Sequence, residues 1–205
     1  MVAAVFRHCE KDLRSQLIEV LPEKTKMACK ILLKYSETSV GAWMIPNSPV
    51  LPEDCTVEQA RERIAPESGF VGVDTIQVIT RDRKFCGQID IIKLFFSNPK
   101  LPITSIMETN VVPIAGRTSL TAALRNPIWK HNDTVPVDNM NGQLIGVLRH
   151  LDLRNGLDRL SKNDDSQDGS GLIMGIGEMY GPSLLGIFSS LATGADKNIN
   201  LGVEK

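Results

Sequence analysis

Carboxylates are the residues best suited to chemistry in this chain, and they fall in two groups. Glu53, Asp54, Glu58, Glu62 and Glu67 form one; Asp152, Asp158, Asp164, Asp165 and Asp168 form the other. Hard divalent cations take oxygen ligands, so either group carries suitable atoms. Each group also has a plain structural account. Glu58 and Glu62 are four residues apart on one helix face, and Arg61 and Arg63 dilute their charge. Asp152 lies where a helix begins, a place the helix dipole favours for a carboxylate. For Asp158, Asp164, Asp165 and Asp168 a solvated acidic linker is the favoured account. His8 beside Cys9 has metal-binding residue types, but no second pair accompanies it. The cysteines at 9, 29, 55 and 86 have no C-x-x-C spacing and follow no signal peptide, so reduced thiols in a cytosolic protein are expected. No nucleophile, base and orienting group form a set, and neither a P-loop nor a dinucleotide fingerprint is present. The chain is not expected to be an enzyme.

The elements that must position these residues come from a tandem repeat. Met44, Leu51, Thr56, Val57 and Ala60 return 63 residues later as Met107, Ile114, Ser119, Leu120 and Ala123. With an offset of 59, Val78, Gly87, Ile89 and Leu94 return as Val137, Gly146, Leu148 and Leu153. A loop of different length between the two echoes accounts for the change of offset. In the first copy, Val50-Leu51 is a strand and Thr56-x-x-Gln59 a capping box that opens a helix to about Ala65. Strands come next over 75–80 and 85–89, then a short helix over 91–97 that stops at Asn98-Pro99. The second copy runs parallel: a strand over 111–114, a helix capped by Ser119, strands over 134–138 and 144–148, and a helix over 151–160. Asn141-Gly142 predicts a type I′ hairpin turn. Upstream, Leu13, Leu17 and Val20 mark one amphipathic helix, and Met27, Ile31, Leu32 and Tyr35 a second that starts at Pro22. Two such helices bury too little to stand alone and should dock on the downstream repeats or on a partner.

Strand, helix, strand, strand, helix, given twice, resembles a pair of CBS domains (a Bateman module) over about residues 42–160. A sharper resemblance lies in Leu21-Pro22-Glu23, Leu32-Leu33-Lys34-Tyr35, Ser39-Val40-Gly41-Ala42-Trp43-Met44 and Leu51-Pro52-Glu53-Asp54-x-Thr56-Val57-x-x-Ala60. These stretches are similar to the join between the N domain and first CBS domain of MgtE-type magnesium transporters. The family usually has Ala-Gly where this chain has Val40-Gly41. Its multi-helix membrane domain has no counterpart here. The expected fold class is α+β, with a helical segment over 1–41, CBS domains over 42–102 and 103–160, and a polar linker with a Gly-rich apolar tail over 161–205.

The resemblance implies two ligand classes. The first is Mg²⁺, bridging acidic faces that repel one another without it. In the family the second CBS domain closes on a pattern like G-x-x-T-x-D-D-x-x-D; here Gly146-Val147-Leu148-Arg149-His150-Leu151-Asp152-Leu153-Arg154-Asn155 keeps only the second acidic position, Asp152. Asp164 falls where the family has an acidic residue in its connecting helix, with Asp165 beside it. The implied metal set is Asp152, Asp164 and Asp165, with Glu58 and Glu62 as the other cluster. The second class is an adenine nucleotide, which CBS pairs usually take on G-x-x-[ST]-x-x-D. Gly146, Arg149 and Asp152 hold that spacing with Arg149 at the hydroxyl position, where it could contact a phosphate or fill the cleft. The first copy has Asp90 and Lys93 there and departs at both.

Composition narrows the partners. Hydrophobic residues are 42% and charged residues 23%, ordinary globular values, with a net charge of −1. Nucleic-acid binding has no electrostatic support. Short helices in each copy leave apolar faces that a C2 homodimer would cover. Gly171 to Thr193 carries one charge, Glu178, in 23 residues, and offers contact with a membrane surface or a membrane transporter domain. One such segment cannot line a conduction path. The expectation is a cytoplasmic regulatory CBS-pair module that senses Mg²⁺ and controls magnesium transport, with a stand-alone nucleotide-binding CBS protein as the alternative. Membrane association through 171–193 stays open.

Overall fold

Both copies of the repeat fold as the same unit. The computed structural model describes residues 6, 10–46, 48–64 and 74–165. Its helices and strands are α1 (Lys11–Glu19), α2 (Glu23–Leu32), β1 (Val50–Pro52), α3 (Val57–Ile64), β2 (Thr75–Ile79), β3 (Phe85–Asp90), α4 (Ile91–Phe96), β4 (Ile114–Ala115), α5 (Leu120–Leu124), β5 (Thr134–Asp138), β6 (Leu144–Arg149) and α6 (His150–Asp165). Each copy makes a three-stranded sheet in sequence order, its first pair parallel and its second antiparallel. The registers agree residue for residue: Val78 faces Gly87 as Val137 faces Gly146, and both hairpins slip register just after that pair. The α+β architecture expected from the repeat is the one observed.

Local chemistry explains the helix starts. Thr56 and Gln59 form the capping box in both directions, Thr56 Oγ1 accepting from the Gln59 N–H at 3.3 Å and Gln59 Oε1 from the Thr56 N–H at 3.1 Å. Ser119 Oγ accepts from the Ala122 N–H at the head of α5, and Asp90 Oδ1 from the Lys93 N–H at the head of α4. At the far end of α4, the Arg61 guanidinium donates to the carbonyls of Leu94, Phe95 and Ser97. A helix of this length has little intrinsic stability, so that clamp from α3 matters.

Two cores form, and each borrows from the other copy. One gathers Leu51, Val57, Ala60, Ile76, Val78, Ile89 and Leu94 together with Ile103 and Ile106, which precede the second copy. The other gathers Ile114, Leu120, Val135, Val137, Leu148 and Leu153 together with Val40, Trp43 and Met44, which lead into β1. The Met that opens each repeat therefore packs with the opposite sheet. Backbone pairing obeys the same exchange: Ile45 bridges Val147, and Glu108 bridges Gln88. The glycines Gly87 and Gly146 make room for it. A Cβ on Gly146 would stand 2.5 Å from the Ile45 carbonyl oxygen, and one on Gly87 2.8 Å from that of Glu108. Helix α2 joins the second core, which receives Leu32. The Val40 N–H donates to Thr118 O, Gly41 to Gly116 O, and Leu120 to Thr38 O. The Tyr35 ring fills the notch over Gly41 and Gly116.

Three sequence expectations change in the structure. The turn at Asn141-Gly142 is not type I′: Gly142 alone has positive φ, at 71°. Met140 and Asn141 make the turn, with the Gly142 N–H donating to Asn139 O, and Gly142 takes the left-handed position after it. Its repeat counterpart is Arg83, at φ 63°. The strand expected over 111–114 reduces to Ile114–Ala115; Pro113 has no N–H for the ladder. Helix α6 continues to Asp165, five residues into the stretch expected to be linker. Residues 166–205, with the apolar tail and Asp168, lie outside the described residues, as do His8, Cys9 and Glu67. Among the described residues no helix is long and apolar enough to cross a membrane.

Candidate functional site

The strand ends and helix starts of the second copy converge on a cleft of about 590 Å³ lined by Asp74, Asp133, Thr134, Arg149, His150, Leu151 and Arg154. The repeat explains why both copies contribute. Asp74 and Asp133 occupy equivalent positions, each just before the middle strand of its sheet. Each gives its backbone carbonyl to the first N–H of a helix, Asp74 O to Ile91 at 2.9 Å and Asp133 O to His150 at 2.8 Å. The Thr134 hydroxyl then reaches the Asp74 carboxylate at 3.4 Å, joining the copies across the cleft. The His150 ring stacks on Trp129, with ring centroids 5.0 Å apart and planes 19° from parallel. That contact holds the imidazole flat at the head of α6.

Arg149 and Asp152 form the wall beside it. Arg149 Nε donates to Asp152 Oδ2 at 2.6 Å and its Nη2 to Oδ1 at 3.0 Å, a two-point guanidinium–carboxylate pair. Asp152 is buried, at 7% exposure. The hydrogen bond to Asp152 pushes the Arg149 pKa up further, so the guanidinium stays charged. The first copy has the same positions with the signs reversed. There Asp90 caps α4 through the backbone N–H of Lys93.

The structure treats the sequence candidates unequally. Gly146, Arg149 and Asp152 are near one another on β6 and α6, but Gly146 is needed for the approach of Ile45 rather than for a ligand. Both oxygens of Asp152 are taken by Arg149, so a Mg²⁺ ion bound there would sit against a guanidinium. The carboxylate does not fit a metal-ligand role while that pair stands. Glu58 and Glu62 are on the exposed side of α3, whose buried residues Val57, Ala60 and Ile64 face the first core. Asp164 and Asp165 fall in the last turn of α6. Among the described residues no three His, Cys, Asp or Glu side chains come together as a group able to hold a metal. Sequence reasoning missed Asp74, Asp133, Thr134, His150 and Arg154. The offset of 59 that pairs Val78 with Val137 also pairs Asp74 with Asp133, and that was the signal to use.

Other titratable groups near the sheets have structural roles. Burial pushes the Cys86 thiol up to about 11, with Glu53 adding to it, so this cysteine is unreactive near neutral pH. Burial likewise raises the pKa of Asp138 at the end of β5.

Comparison with known proteins extends this picture. No protein-family model matches the chain. It is 23% identical over 152 residues to the magnesium transporter MgtE of Thermus thermophilus, a match covering 73% of this chain and 33% of that protein. The chain thus spans about a third of the length of that relative. Among solved structures, it resembles the soluble part of a magnesium transporter, with TM-score 0.68 and 16% identity over 77% of this chain and 62% of the other. The cytosolic domain of the Mg²⁺ channel MgtE, solved in complex with ATP, matches with TM-score 0.62 and 23% identity over 70% of this chain and 58% of that one. The CBS pair domain of a protein described as a Mg²⁺ transporter from Shewanella oneidensis matches with TM-score 0.60 and 19% identity, covering 77% of this chain and 90% of the other. These relatives are transporter cytosolic parts and CBS domains, not enzymes. The chain has the fold of a tandem CBS-domain pair, the fold also seen in the cytosolic domain of MgtE.

Proposed function

We propose that this CBS pair regulates magnesium transport without conducting the ion, and that an adenine nucleotide bound in the cleft at the head of α6 is its signal. The cleft carries the reading. Arg154 supplies a guanidinium group suited to phosphate, while Asp74, Asp133 and Thr134 supply oxygens suited to ribose hydroxyls. The ATP complex of the MgtE cytosolic domain supports the ligand class. Thermal unfolding of the chain with millimolar ATP, AMP or MgCl₂ tests it. ATP or AMP is expected to raise Tm, and Arg154→Ala to abolish the rise while leaving the unliganded Tm in place. No shift with either nucleotide sinks the reading.

A Mg²⁺ response is the second reading, and the similarity to the Thermus thermophilus magnesium transporter MgtE favours it. Asp164 and Asp165 of α6 are the acids it would use. A rise in Tm with MgCl₂ that Asp164→Asn/Asp165→Asn removes supports this reading; a rise that survives both changes does not. A homodimer fits either reading. Ile92, Phe95 and Phe96 of α4 are 68%, 49% and 88% exposed, and Leu151 of α6, the repeat counterpart of Ile92, is 62% exposed. Such an apolar face suits a second copy. The cytoplasm is the location this role requires.

A further inference from the structure

The cleft at the head of α6 has little positive charge to offer a ligand. Its charged lining residues, among those described, are Asp74, Asp133, Arg149 and Arg154. Arg149 is already committed. Both Asp152 oxygens accept from it, at 2.6 and 3.0 Å, and Asp152 is buried. A guanidinium held at two points by a buried carboxylate is largely neutralised there. Arg154 forms no salt bridge among the described residues. It stands four residues from His150 on one face of α6, and both line the cleft. One uncommitted guanidinium therefore shares the cleft with two carboxylates, Asp74 and Asp133. The Thr134 hydroxyl donates to Asp74 at 3.4 Å, a contact that leaves the carboxylate charged. The repeat brings no further cation, since the first copy has Asp90 and Phe95 where the second has Arg149 and Arg154. The stretch 65–73, which leads into Asp74, contains Glu67 and neither Lys nor Arg. Even a charged imidazole at His150 would leave no excess of positive charge.

A nucleoside monophosphate suits that balance. One phosphate monoester carries roughly −1.5 to −2 charge at pH 7, a match for a single guanidinium that donates at two points. Each further phosphate brings more negative charge into a cleft of about 590 Å³ whose other uncommitted charges are carboxylates. Repulsion in a partly desolvated cleft is screened less than on an open surface. On the basis of the nucleotide reading of this cleft, we propose that it selects an adenine nucleotide with one phosphate and rejects the metal-free triphosphate. Arg154 is the phosphate contact. Asp74 and Asp133 set the specificity, accepting from ribose hydroxyls and repelling any phosphate beyond the first.

Calorimetric titration of the chain with adenosine, AMP and ATP, each in EDTA, tests this. AMP is expected to bind about tenfold tighter than adenosine, because Arg154 makes a charge-assisted contact, and about tenfold tighter than ATP. The preference over ATP is electrostatic, so it should shrink several-fold as KCl is raised to about 0.5 M. Asp133→Asn keeps an oxygen for the ribose and the backbone carbonyl that accepts from His150, and removes one repelling charge. It should bring ATP toward AMP in affinity, and its retained binding of AMP shows that the cleft is intact. ATP binding as tightly as AMP in EDTA overturns the selectivity and leaves the nucleotide reading standing. So does AMP binding no tighter than adenosine. A preference for AMP that neither salt nor Asp133→Asn changes would be one of shape, and overturns the charge assignment. Binding of none of the three sinks the nucleotide reading itself, and the selectivity with it.

Discussion

At the scale of single residues, charge placement decides what the second copy can bind. Arg149 and Asp152 neutralise each other at the cleft wall. Arg149→Met should leave a buried carboxylate without its donors and lower stability by about 1.5–3 kcal/mol in denaturant unfolding. Adding Asp152→Leu should recover most of that loss, because the unpaired charge goes with it. Asp138 offers a pH-dependent case. Burial raises its pKa above the unfolded value. Its favourable contribution is therefore present at low pH, below the unfolded pKa, and is lost as pH rises through the folded pKa. Asp138→Asn should raise Tm at pH 7, and the difference from the parent chain should shrink toward pH 4. A difference that grows on acidification would contradict the assignment. Gly146 shows how far a residue can be read from sequence. Its recurrence as Gly87 was visible, but the reason, a carbonyl oxygen 2.5 Å from where its Cβ would be, belongs to Ile45, far away in the chain.

At the scale of elements, close approach and capping carry the stability. Gly146→Ala must push the Ile45–Pro46 backbone off β6 and should cost roughly 1–3 kcal/mol in unfolding experiments. Gly142→Ala should cost less, about 1 kcal/mol, since it adds only the left-handed strain that Arg83 already carries in the first hairpin. Arg61→Ala removes the clamp on the carbonyls of Leu94, Phe95 and Ser97. Faster hydrogen exchange confined to α4 is the expected result. The capping box at Thr56 and the serine cap at Ser119 were legible because their signals span only three residues. The hairpin type was not: Asn-Gly suits a type I′ turn locally, but the register slip after Val137–Gly146 leaves Ile145 as an extra residue on β6 and shifts the turn onto Met140 and Asn141.

At the scale of the whole molecule, the exposed row on α4 is the feature to test. Phe96→Glu places a charge in the middle of the apolar face, and sedimentation should show the parent chain as a dimer and the variant as a monomer. A monomeric parent chain would remove the dimer reading. The same row distinguishes the copies, because Phe95 and Phe96 correspond to Arg154 and Asn155 in the second. One copy has kept an apolar helix face, while the other has put a guanidinium at its cleft.

The sequence alone determined the repeat, the order of strands and helices in each copy and the α+β class. All of these depend on periodicity and capping within a few residues. Only the tertiary structure decided which copy each lead-in joins. Val40, Trp43 and Met44 lead into β1 of the first repeat yet pack in the core of the second, and Ile103 and Ile106 make the reverse exchange. Nothing in a local pattern distinguishes burial against one's own sheet from burial against an equivalent sheet with the same apolar positions. The candidate site was hidden for the same reason. Asp74 and Asp133 look like isolated surface acids in sequence, and a cleft appears only when the two copies face each other.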